Sequence, residues 1–281
     1  MESRTILITG CSSGIGLCLA RGLRDRGYRV FASARKPADV QQLAASGLES
    51  ILLDLDDSDS IHTAVDEVLD RSQGKLYALI NNGAYGQPGA VEDLSRETLR
   101  QQFETNLFGT QELTNRVIPI MRNQGGGRII QISSLLGIVA MPYRGAYIAS
   151  KYALEGLSDT LRLELKDTNI FIILIEPGPI ISKFRDNAYA AFRANIDVEH
   201  SAHRNRYQNM IARFKGETGN MPFTLPPEAV LGKTIHALEA RRPKIRYAVT
   251  VPTYVFAFLK RVLPFRWQDA LLALAGGNGK R

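Results

Sequence analysis

A tyrosine and a lysine that lie four positions apart, Tyr147 and Lys151, are the residues of this sequence best suited to proton transfer. Side chains at this spacing share one face of a helix. A free phenol titrates near about 10, and an ammonium group beside it favours the ionised form and lowers its pKa. Tyr147 can then exchange a proton with a substrate oxygen near neutral pH. A Tyr–Lys pair on a helix is also a common surface contact, so the pair alone does not establish a site.

Two hydroxyl residues end the apolar strand that precedes this helix. The strand is predicted over 128–133 and leads into Ser134. Ligands of open α/β sheets bind at the carboxyl ends of the strands. Ser134 is therefore a candidate hydrogen-bond donor to a developing alkoxide. Ser133 and Ser134 can equally be turn residues that lead to Gly137.

A glycine-rich loop follows the first predicted strand, in the order Thr9-Gly10-Cys11-Ser12-Ser13-Gly14-Ile15-Gly16. Glycine at three of these positions lets the chain turn tightly and lets a pyrophosphate approach the backbone at the positive end of the next helix. The place between a strand and a helix favours a dinucleotide site over a simple turn. The residues expected to line this site are Gly10, Ser12, Ser13, Gly14, Ile15 and Gly16.

The end of the second predicted strand indicates which dinucleotide binds. An acid there accepts hydrogen bonds from the ribose 2′-OH of NAD, whereas arginine suits the 2′-phosphate of NADP. Here Arg35 and Lys36 follow the strand, with no acid before Asp39, and a guanidinium can bind phosphate through two parallel hydrogen bonds. The sequence therefore predicts NADP. Asp54, after the third strand, either accepts a hydrogen bond from the adenine amino group or is a turn aspartate.

Short apolar runs alternate with longer amphipathic runs along most of the chain, which is the pattern of βαβ units. Strands are predicted over residues 4–9, 29–34, 49–54, 77–82, 128–133 and 171–176. Helices are predicted over residues 15–26, 39–46, 58–71, 96–121, 147–167 and 226–240. The fold class is therefore α/β: a doubly wound Rossmann fold with a mainly parallel sheet of about seven strands and helices on both faces. Without a linker or an internal repeat, residues 1–281 are predicted to form a single domain.

The pattern changes after Pro177-Gly178-Pro179. Residues 183–225 show few alternating runs and are predicted to be an irregular insertion that forms a lid over the substrate site. Aromatic and apolar residues in and before this segment either line an apolar pocket or pack in the core. These residues are Met141, Pro142, Tyr143, Tyr189, Phe192, Tyr207 and Phe214.

Composition argues against several classes of protein. The two cysteines are seven residues apart, which does not suggest a disulfide framework, so a reducing compartment and a cytoplasmic location are expected. The four histidines are scattered and no Cys/His cluster is present, so no metal site is expected. No run of about 20 apolar residues predicts a membrane-spanning helix, and no signal peptide is expected.

The positive charge of the chain is concentrated in its last part, a basic, apolar C-terminal tail. Residues 241–281 contain nine Lys/Arg residues and one acid, Asp269, a net charge of +8 against +7 for the whole chain. Such a tail can lie on an anionic membrane, so peripheral membrane contact is one expectation. The alternative is a solvated helix end that closes the substrate pocket. Nucleic-acid binding is not expected, because no reader motif accompanies the charge.

Taken together, these motifs resemble the short-chain dehydrogenase/reductase family in its single-domain branch. The resemblance covers residues 4–184 and includes one departure: Gly83-Ala84 stands where the family has alanine before glycine. The motifs that carry it are the glycine loop, Asn-Asn-Gly-Ala at 81–84, Asn106, Ser134 thirteen residues before Tyr147, the YxxxK pattern that ends at Lys151, and Pro177-Gly178.

The resemblance implies a role for each matching residue. Tyr147 is implied to be the proton donor, and Lys151 to lower its pKa and hold the nicotinamide ribose. Ser134 is implied to orient the carbonyl group, and Asn106 to support a water chain from Lys151 to solvent. Further cofactor contacts are implied at Leu55, Asn82, Gly83, Ala84, Pro177, Gly178, Ile180 and Ser182.

The resemblance also implies a reaction. The chain is similar to 17β-hydroxysteroid and retinol dehydrogenase relatives and to bacterial NADP-dependent aldehyde reductases, which implies NADPH-dependent reduction of a hydrophobic aldehyde or ketone. The family is often dimeric or tetrameric, which implies a homo-oligomer. Two alternatives stay open. One is a sugar-nucleotide epimerase or dehydratase, which usually has a GxxGxxG loop and a longer C-terminal domain. The other is a non-catalytic NADP-sensing protein, which tends to lose the tyrosine or the lysine.

Overall fold

The computed structural model describes residues 4–215 and 222–275. Its strands form one parallel sheet of seven, in the order β3-β2-β1-β4-β5-β6-β7. The strands are β1 (Thr5–Ile8), β2 (Arg29–Ala34), β3 (Glu49–Leu52), β4 (Ala78–Asn81), β5 (Gly127–Ile132), β6 (Ile170–Glu176) and β7 (Arg246–Ala248). The doubly wound α/β fold predicted from the sequence is confirmed.

Helices lie between the strands and cover both faces of the sheet. They are α1 (Gly14–Asp25), α2 (Pro37–Ala45), α3 (Ser58–Arg71), α4 (Arg96–Phe103), α5 (Thr110–Asn123), α6 (Gly145–Glu164), α7 (Phe184–Asn195), α8 (Arg204–Phe214), α9 (Glu228–Glu239), α10 (Val251–Val262) and α11 (Phe265–Ala275). In the described part of the chain, none of them is long and apolar enough to cross a membrane.

The alternation of side chains along each strand divides the core into two layers. Ile6 and Ile8 of β1 pack with α1 and α9 on one face, whereas Leu7 between them packs with α3 and α5 on the other. Successive residues of a strand point to opposite faces. Because helices cover both faces, the strands are nearly continuous apolar runs. Each fully buried leucine or isoleucine contributes about 1.5–3 kcal/mol to folding, so the two layers fix the register of the sheet.

The helix predicted over residues 96–121 is not a uniform α-helix in the structure. Between α4 and α5 the chain forms a wider π-helical turn, Glu104–Gly109. In a π turn the hydrogen bonds reach five residues back. The hydroxyl of Thr110 follows this spacing and donates to the carbonyl of Thr105 at 3.2 Å. The chain stays helical from 96 to 123, so the long helical stretch predicted over 96–121 is confirmed, although the apolar periodicity of the sequence does not reveal the extra residue of the π turn.

The insertion predicted over 183–225 is not irregular, because it contains α7 and α8. Phe192 and Tyr207 are fully buried, in a small separate core with Ala90 and Ala146. Apolar residues therefore recur at helical spacing on the inner faces. Arginine and asparagine on the outer faces obscure that period in the sequence.

The aromatic residues of this segment serve mainly to hold it in place. Tyr207 donates a hydrogen bond to the carboxylate of Asp93 and accepts one from the amide of Ala90 at 2.8 Å. Tyr189 packs against the same core, and its ring stacks on Phe214 with centroids 5.3 Å apart. For these residues the core interpretation holds, rather than a pocket lining.

The basic segment 241–281 is more than a tail. Arg246–Ala248 is the seventh strand, paired with the end of β6 so that Glu176 lies opposite Ala248. The chain then continues into α10 and α11. Residues 276–281, which include Lys280 and Arg281, lie outside the described residues.

The close approach of the π-helical turn to the loop after β3 gives a test of this fold. A Cβ added at Gly109 would lie 1.7 Å from the carbonyl oxygen of Leu55, whereas one added at Gly156 in α6 meets nothing within 4 Å. We expect Gly109→Ala to lower the free energy of unfolding by about 1–3 kcal/mol, because the backbone must shift. Gly156→Ala should instead raise it by about 0.5–1 kcal/mol, because alanine is the better helix former.

Urea denaturation of the two variants beside the wild type measures both effects. Equal midpoints for Gly109→Ala and the wild type would contradict the packing of Gly109 against Leu55.

Candidate active site

Tyr147 and Lys151 lie in the first turns of α6, on the face that meets the end of β5. Lys151 is 3% exposed, and its Nζ donates a hydrogen bond to the carbonyl of Ile132 at 2.8 Å. The same Nζ lies 5.8 Å from the centroid of the Tyr147 ring. The pair is therefore no surface contact, because the lysine is buried beside the tyrosine.

Ser134 joins this pair at the carboxyl end of β5. Its hydroxyl accepts a hydrogen bond from the amide of Leu136 at 3.0 Å, so it is a turn residue. It is also hydrogen-bonded to the side chain of Tyr147. The turn interpretation of Ser134 therefore holds, and the turn fixes the hydroxyl next to the phenol. Its hydrogen bond to a substrate oxygen stays a prediction.

Asn106 lies in the π-helical turn and is buried. Its Nδ2 donates to the carbonyl of Tyr85 at 2.9 Å and to the hydroxyl of Ser150 at 3.1 Å, and its Oδ1 accepts from the amide of Tyr85 at 3.1 Å. The Ser150 hydroxyl in turn donates to the carbonyl of Tyr147 at 2.8 Å. Asn106 thus joins the loop after β4 to the first turn of α6. The water chain implied by the resemblance stays a prediction.

Burial moves the pKa values of the pair in opposite directions. Desolvation lowers the pKa of Lys151 to about 8, although the charge of Glu155 opposes the change. Desolvation raises the pKa of Tyr147 to about 12, although the hydrogen bond with Ser134 opposes it. The sequence predicts a lowered phenol pKa, whereas here the loss of water around a phenolate outweighs the hydrogen bond with Ser134 and the pKa is raised. The phenol is therefore neutral, which is the form that donates a proton.

The glycine loop packs too closely for side chains. A Cβ at Gly16 would lie 2.2 Å from the carbonyl oxygen of Gly10, and one at Gly10 would lie 2.7 Å from the Cα of Gly83. Ser13, the N-cap residue of α1, has an extended backbone. Its side chain accepts no capping hydrogen bond from the first amides of the helix, within the part of the chain that the structure describes. The first amides of α1 can therefore bind an anion.

Asn82 and Gly83 hold this loop against β4. Asn82 Nδ2 donates to the carbonyls of Thr9 and Gly10 at 2.9 and 3.0 Å. The hydroxyl of Thr9 accepts from the amides of Asn82 and Gly83 at 2.9 and 2.8 Å. A Cβ at Gly83 would meet the flexible end of Leu55 at 3.1 Å. The exchange of glycine and alanine at 83–84 is therefore compatible with this packing, and Ala84 follows on the same loop.

The residues proposed to select the dinucleotide lie on the neighbouring strand ends. Arg35 and Lys36 are exposed just after β2. The charge of Arg35 acts on Tyr85, in the loop after β4. Burial and the Asp56 carboxylate raise the pKa of Tyr85 to about 12, and the positive charge of Arg35 opposes this rise. Asp54 Oδ1 accepts from the amide of Asp56 at 3.1 Å, which makes it a turn aspartate. The adenine contact of Asp54 stays a prediction.

The segment after β6 crosses the same edge of the sheet. The carbonyl of Pro177 accepts from the amide of Leu135 at 2.8 Å. Ile180 pairs with Leu225, and a Cβ at Gly14 would lie 2.9 Å from the Cβ of Ser182. A Cβ at Gly178 would lie 2.1 Å from the hydroxyl of Thr250. The structure therefore brings Ser182 to the glycine loop and Pro177 to the Ser134 turn, whereas Gly178 lies against Thr250 and Ile180 pairs with Leu225.

Comparison with known proteins identifies this arrangement. The family profile described as short chain dehydrogenase matches residues 4–191. The chain belongs to the short-chain dehydrogenases. It is therefore an oxidoreductase, of a family that uses nicotinamide cofactors.

Relatives of this short-chain dehydrogenase match it over nearly its whole length. The uncharacterized oxidoreductase YbbO of Escherichia coli K12 is 43% identical, over 96% of this chain and 94% of that protein. The NADPH-dependent 3-dehydrocapnine reductase of Ornithobacterium rhinotracheale is 31% identical, over 95% of each chain. The crystal structure of a short-chain dehydrogenase from Streptomyces avermitilis has a TM-score of 0.78 and 26% identity, over 99% of this chain and 98% of that one.

Several residues of this short-chain dehydrogenase site were not found from the sequence. Phe184, the first residue of α7, packs edge-on against Tyr147, with ring centroids 5.3 Å apart. Tyr85 and Ser150 hold Asn106. Ser150 precedes the motif lysine directly, which is a usable signal. Phe184 and Tyr85 carry no such signal, because their contacts depend on loops folding back.

An ion-pair cluster extends from α6 to β7. Arg246 Nη2 lies 3.0 Å from a Glu155 carboxylate oxygen and 2.7 Å from one of Asp159. Its Nε lies 3.1 Å from a carboxylate oxygen of Glu176. Three carboxyl groups thus share one guanidinium. Burial and the neighbouring Glu155 charge raise the pKa of Glu176 to about 7.

This pKa makes stability depend on pH in a defined direction. The folded protein binds the proton of Glu176 more tightly than the unfolded chain does. The stability that this proton contributes is therefore fully present below about pH 4.5 and is lost as the pH rises through about 7. We expect the wild type to lose at most about 3 kcal/mol relative to Glu176→Gln between pH 5 and 8, at 1.36 kcal/mol per pKa unit.

Urea denaturation of the wild type and Glu176→Gln across this pH range measures the difference. Glu164→Gln, on the exposed end of α6, is the control and should run parallel to the wild type. Parallel curves for Glu176→Gln would refute the raised pKa.

Proposed function

We propose that this enzyme reduces the carbonyl group of a hydrophobic aldehyde or ketone with NADPH. The observation that carries the proposal is the cluster of the buried Lys151 with the partly buried Tyr147 and Ser134 at the carboxyl edge of the sheet. Ligands of doubly wound sheets bind at this edge. The neutral phenol of Tyr147 lies beside the fixed hydroxyl of Ser134, and this arrangement suits the protonation of a carbonyl oxygen.

The residues around the glycine loop fit a bound dinucleotide. The absence of Cβ atoms at Gly10, Gly14 and Gly16 leaves backbone amides at the start of α1 to receive a pyrophosphate. Arg35 and Lys36 suit a 2′-phosphate, and Lys151 suits the hydroxyls of the nicotinamide ribose. When NADPH is bound, it supplies the hydride. The related 3-dehydrocapnine reductase of Ornithobacterium rhinotracheale is NADPH-dependent, which supports the same choice of cofactor.

The chain's own residues handle the proton. The hydroxyl of Ser134 hydrogen-bonds to the substrate carbonyl oxygen and holds it beside the phenol of Tyr147. The phenol Oη–H then donates its proton to that oxygen, which becomes the hydroxyl of the product. The buried ammonium of Lys151 stabilises the phenolate that remains, because opposite charges attract strongly where water is excluded.

The preference for an apolar substrate rests on the surroundings of these three residues. Phe184 covers the ring of Tyr147. Leu135, the residue after Ser134, and Val139, four residues further on, are buried in an apolar cluster with Leu272. A carbonyl compound that approaches Ser134 therefore meets mainly hydrocarbon, which favours aliphatic or aromatic groups beside the carbonyl.

Removal of the phenol hydroxyl tests the proton donor. We expect Tyr147→Phe to lower the turnover of NADPH by about 10²–10⁴-fold, the usual contribution of a positioned acid, and to leave NADPH binding intact. NADPH oxidation against aliphatic, aromatic, retinoid and steroid carbonyls is the measurement, with binding followed by titration. Tyr152→Phe, on the exposed side of the same helix, is the control and should retain turnover.

Unchanged turnover in Tyr147→Phe would exclude Tyr147 as the donor. A protein that only senses NADP would bind it and turn over no carbonyl of the panel.

Reversal of one charge tests the choice of cofactor. We expect Arg35→Asp to weaken NADPH binding by about 10–100-fold, the loss of charge-assisted hydrogen bonds to a phosphate, with little change for NADH. Titration of each nucleotide measures both affinities. Arg122→Asp, an exposed arginine at the end of α5, is the control. Equal affinity of the wild type for the two nucleotides would contradict the assignment.

A further inference from the structure

Helices α10 and α11 leave a broad apolar face uncovered. The most exposed of its large side chains are Phe265 (82%), Trp267 (67%), Leu274 (64%) and Phe258 (63%). The other exposed members are Val251, Tyr254, Val255, Val262 and Leu271. On α10 these residues recur every three or four positions and form one stripe. We call the face the C-terminal apolar face.

The opposite sides of the two helices are fixed to the rest of the molecule. Phe256 and Leu272 pack with Leu135 and Val139, in the loop that follows Ser134. Gln268 donates hydrogen bonds to the carbonyl of Lys260 in α10 at 3.2 Å and to that of Leu263, just after α10, at 2.7 Å. These bonds fix the turn between the helices. The C-terminal apolar face is therefore a defined surface beside the loop of the active site.

Cations border this face. Arg261 and Arg266 lie on the two helices, with Asp269 as the single acid between 251 and 275. The ammonium of Lys260 instead lies over the ring of Tyr152 on α6, 4.9 Å from its centroid. The two arginines are exposed, and neither forms a salt bridge with an acid in residues 4–215 or 222–275. The whole segment 241–281 has a net charge of +8.

We propose that the C-terminal apolar face docks this protein on an anionic lipid bilayer, with α10 and α11 lying in the interface. Aromatic residues, tryptophan above all, favour the boundary between headgroups and hydrocarbon. An apolar face with flanking arginine and lysine is the pattern of helices that lie on a membrane rather than cross it. Anionic headgroups attract those cations.

The charge favours a bilayer over a second copy of the chain. In a twofold dimer the same patch meets itself, so the cations of one face would oppose those of the other. Like charges set against each other across an interface weaken it. An anionic bilayer avoids this repulsion, because its headgroups attract the cations while its hydrocarbon covers the apolar side chains. The docking is independent of the reaction proposed above, and its test does not use turnover.

Trp267 provides a direct readout, because it is the only tryptophan of the chain. We expect its emission to shift to the blue and to be quenched by brominated acyl chains when vesicles of phosphatidylcholine and phosphatidylglycerol in equal parts are added. Vesicles of phosphatidylcholine alone should produce a much smaller effect. Added salt should weaken binding, since it screens exposed charges. Unchanged emission with the anionic vesicles would overturn the proposal.

Paired substitutions assign the binding to this face. We expect Phe258→Ser with Phe265→Ser to weaken vesicle flotation by about tenfold or more, from the loss of two buried aromatic rings. Leu163→Ser, an exposed leucine on α6, is the matched control and should float like the wild type. Equal losses for the control, or full binding by the double variant, would place the contact elsewhere and overturn the proposal.

The charge is tested in the same assay. Arg261→Gln with Arg266→Gln should lower vesicle affinity by about fivefold per charge, whereas Arg21→Gln with Lys166→Gln, on other surfaces, should have little effect. Analytical ultracentrifugation separates the rival occupant. A dimer that dissociates in the double phenylalanine variant, in a protein that ignores anionic vesicles, would assign the face to self-association and refute membrane docking.

Discussion

The site depends on the burial of an ammonium group beside a phenol. Desolvation acts against the charged form of each, so it lowers the pKa of Lys151 and raises that of Tyr147. A buried lysine needs a partner, and the carbonyl of Ile132 provides one at 2.8 Å. That contact joins α6 to the end of β5, beside the hydrogen bond of Asn106 to Ser150 on the same helix. Together these contacts help to fix the distance between the phenol and the hydroxyl of Ser134.

The same face of α6 carries this constraint away from the site. Tyr147, Lys151, Glu155 and Asp159 follow one another at four-residue spacing, so they lie along one stripe. Glu155 offsets part of the desolvation of Lys151, and Arg246 in turn neutralises Glu155 and Asp159. Ion pairs thus join strand β7 to α6. A change in the charge of the cluster would reach Lys151 through Glu155.

The sequence predicts those parts of the molecule that depend on local pattern. The strand and helix order, the glycine loop, and Ser134, Tyr147 and Lys151 all follow from periodicity or from residues at fixed spacing. The π-helical turn around Asn106 could not be predicted, because it depends on contacts with Tyr85 and Ser150 that are distant in the sequence. Likewise, Phe184 reaches Tyr147 only after α7 folds back over the sheet.

The segment after β7 shows how two sequence interpretations divide between two faces of the same helices. A helix that only closes over a site needs one apolar face, and a polar outer face is then the stable choice in water. The inner face of α10 and α11 meets that need through Phe256 and Leu272. It leaves unexplained why Phe258, Phe265 and Trp267 point outward, since contiguous exposed apolar patches commonly mark an interaction surface. Packing against the loop after Ser134 therefore accounts for one side of the helices, and the anionic bilayer that we propose would cover the other.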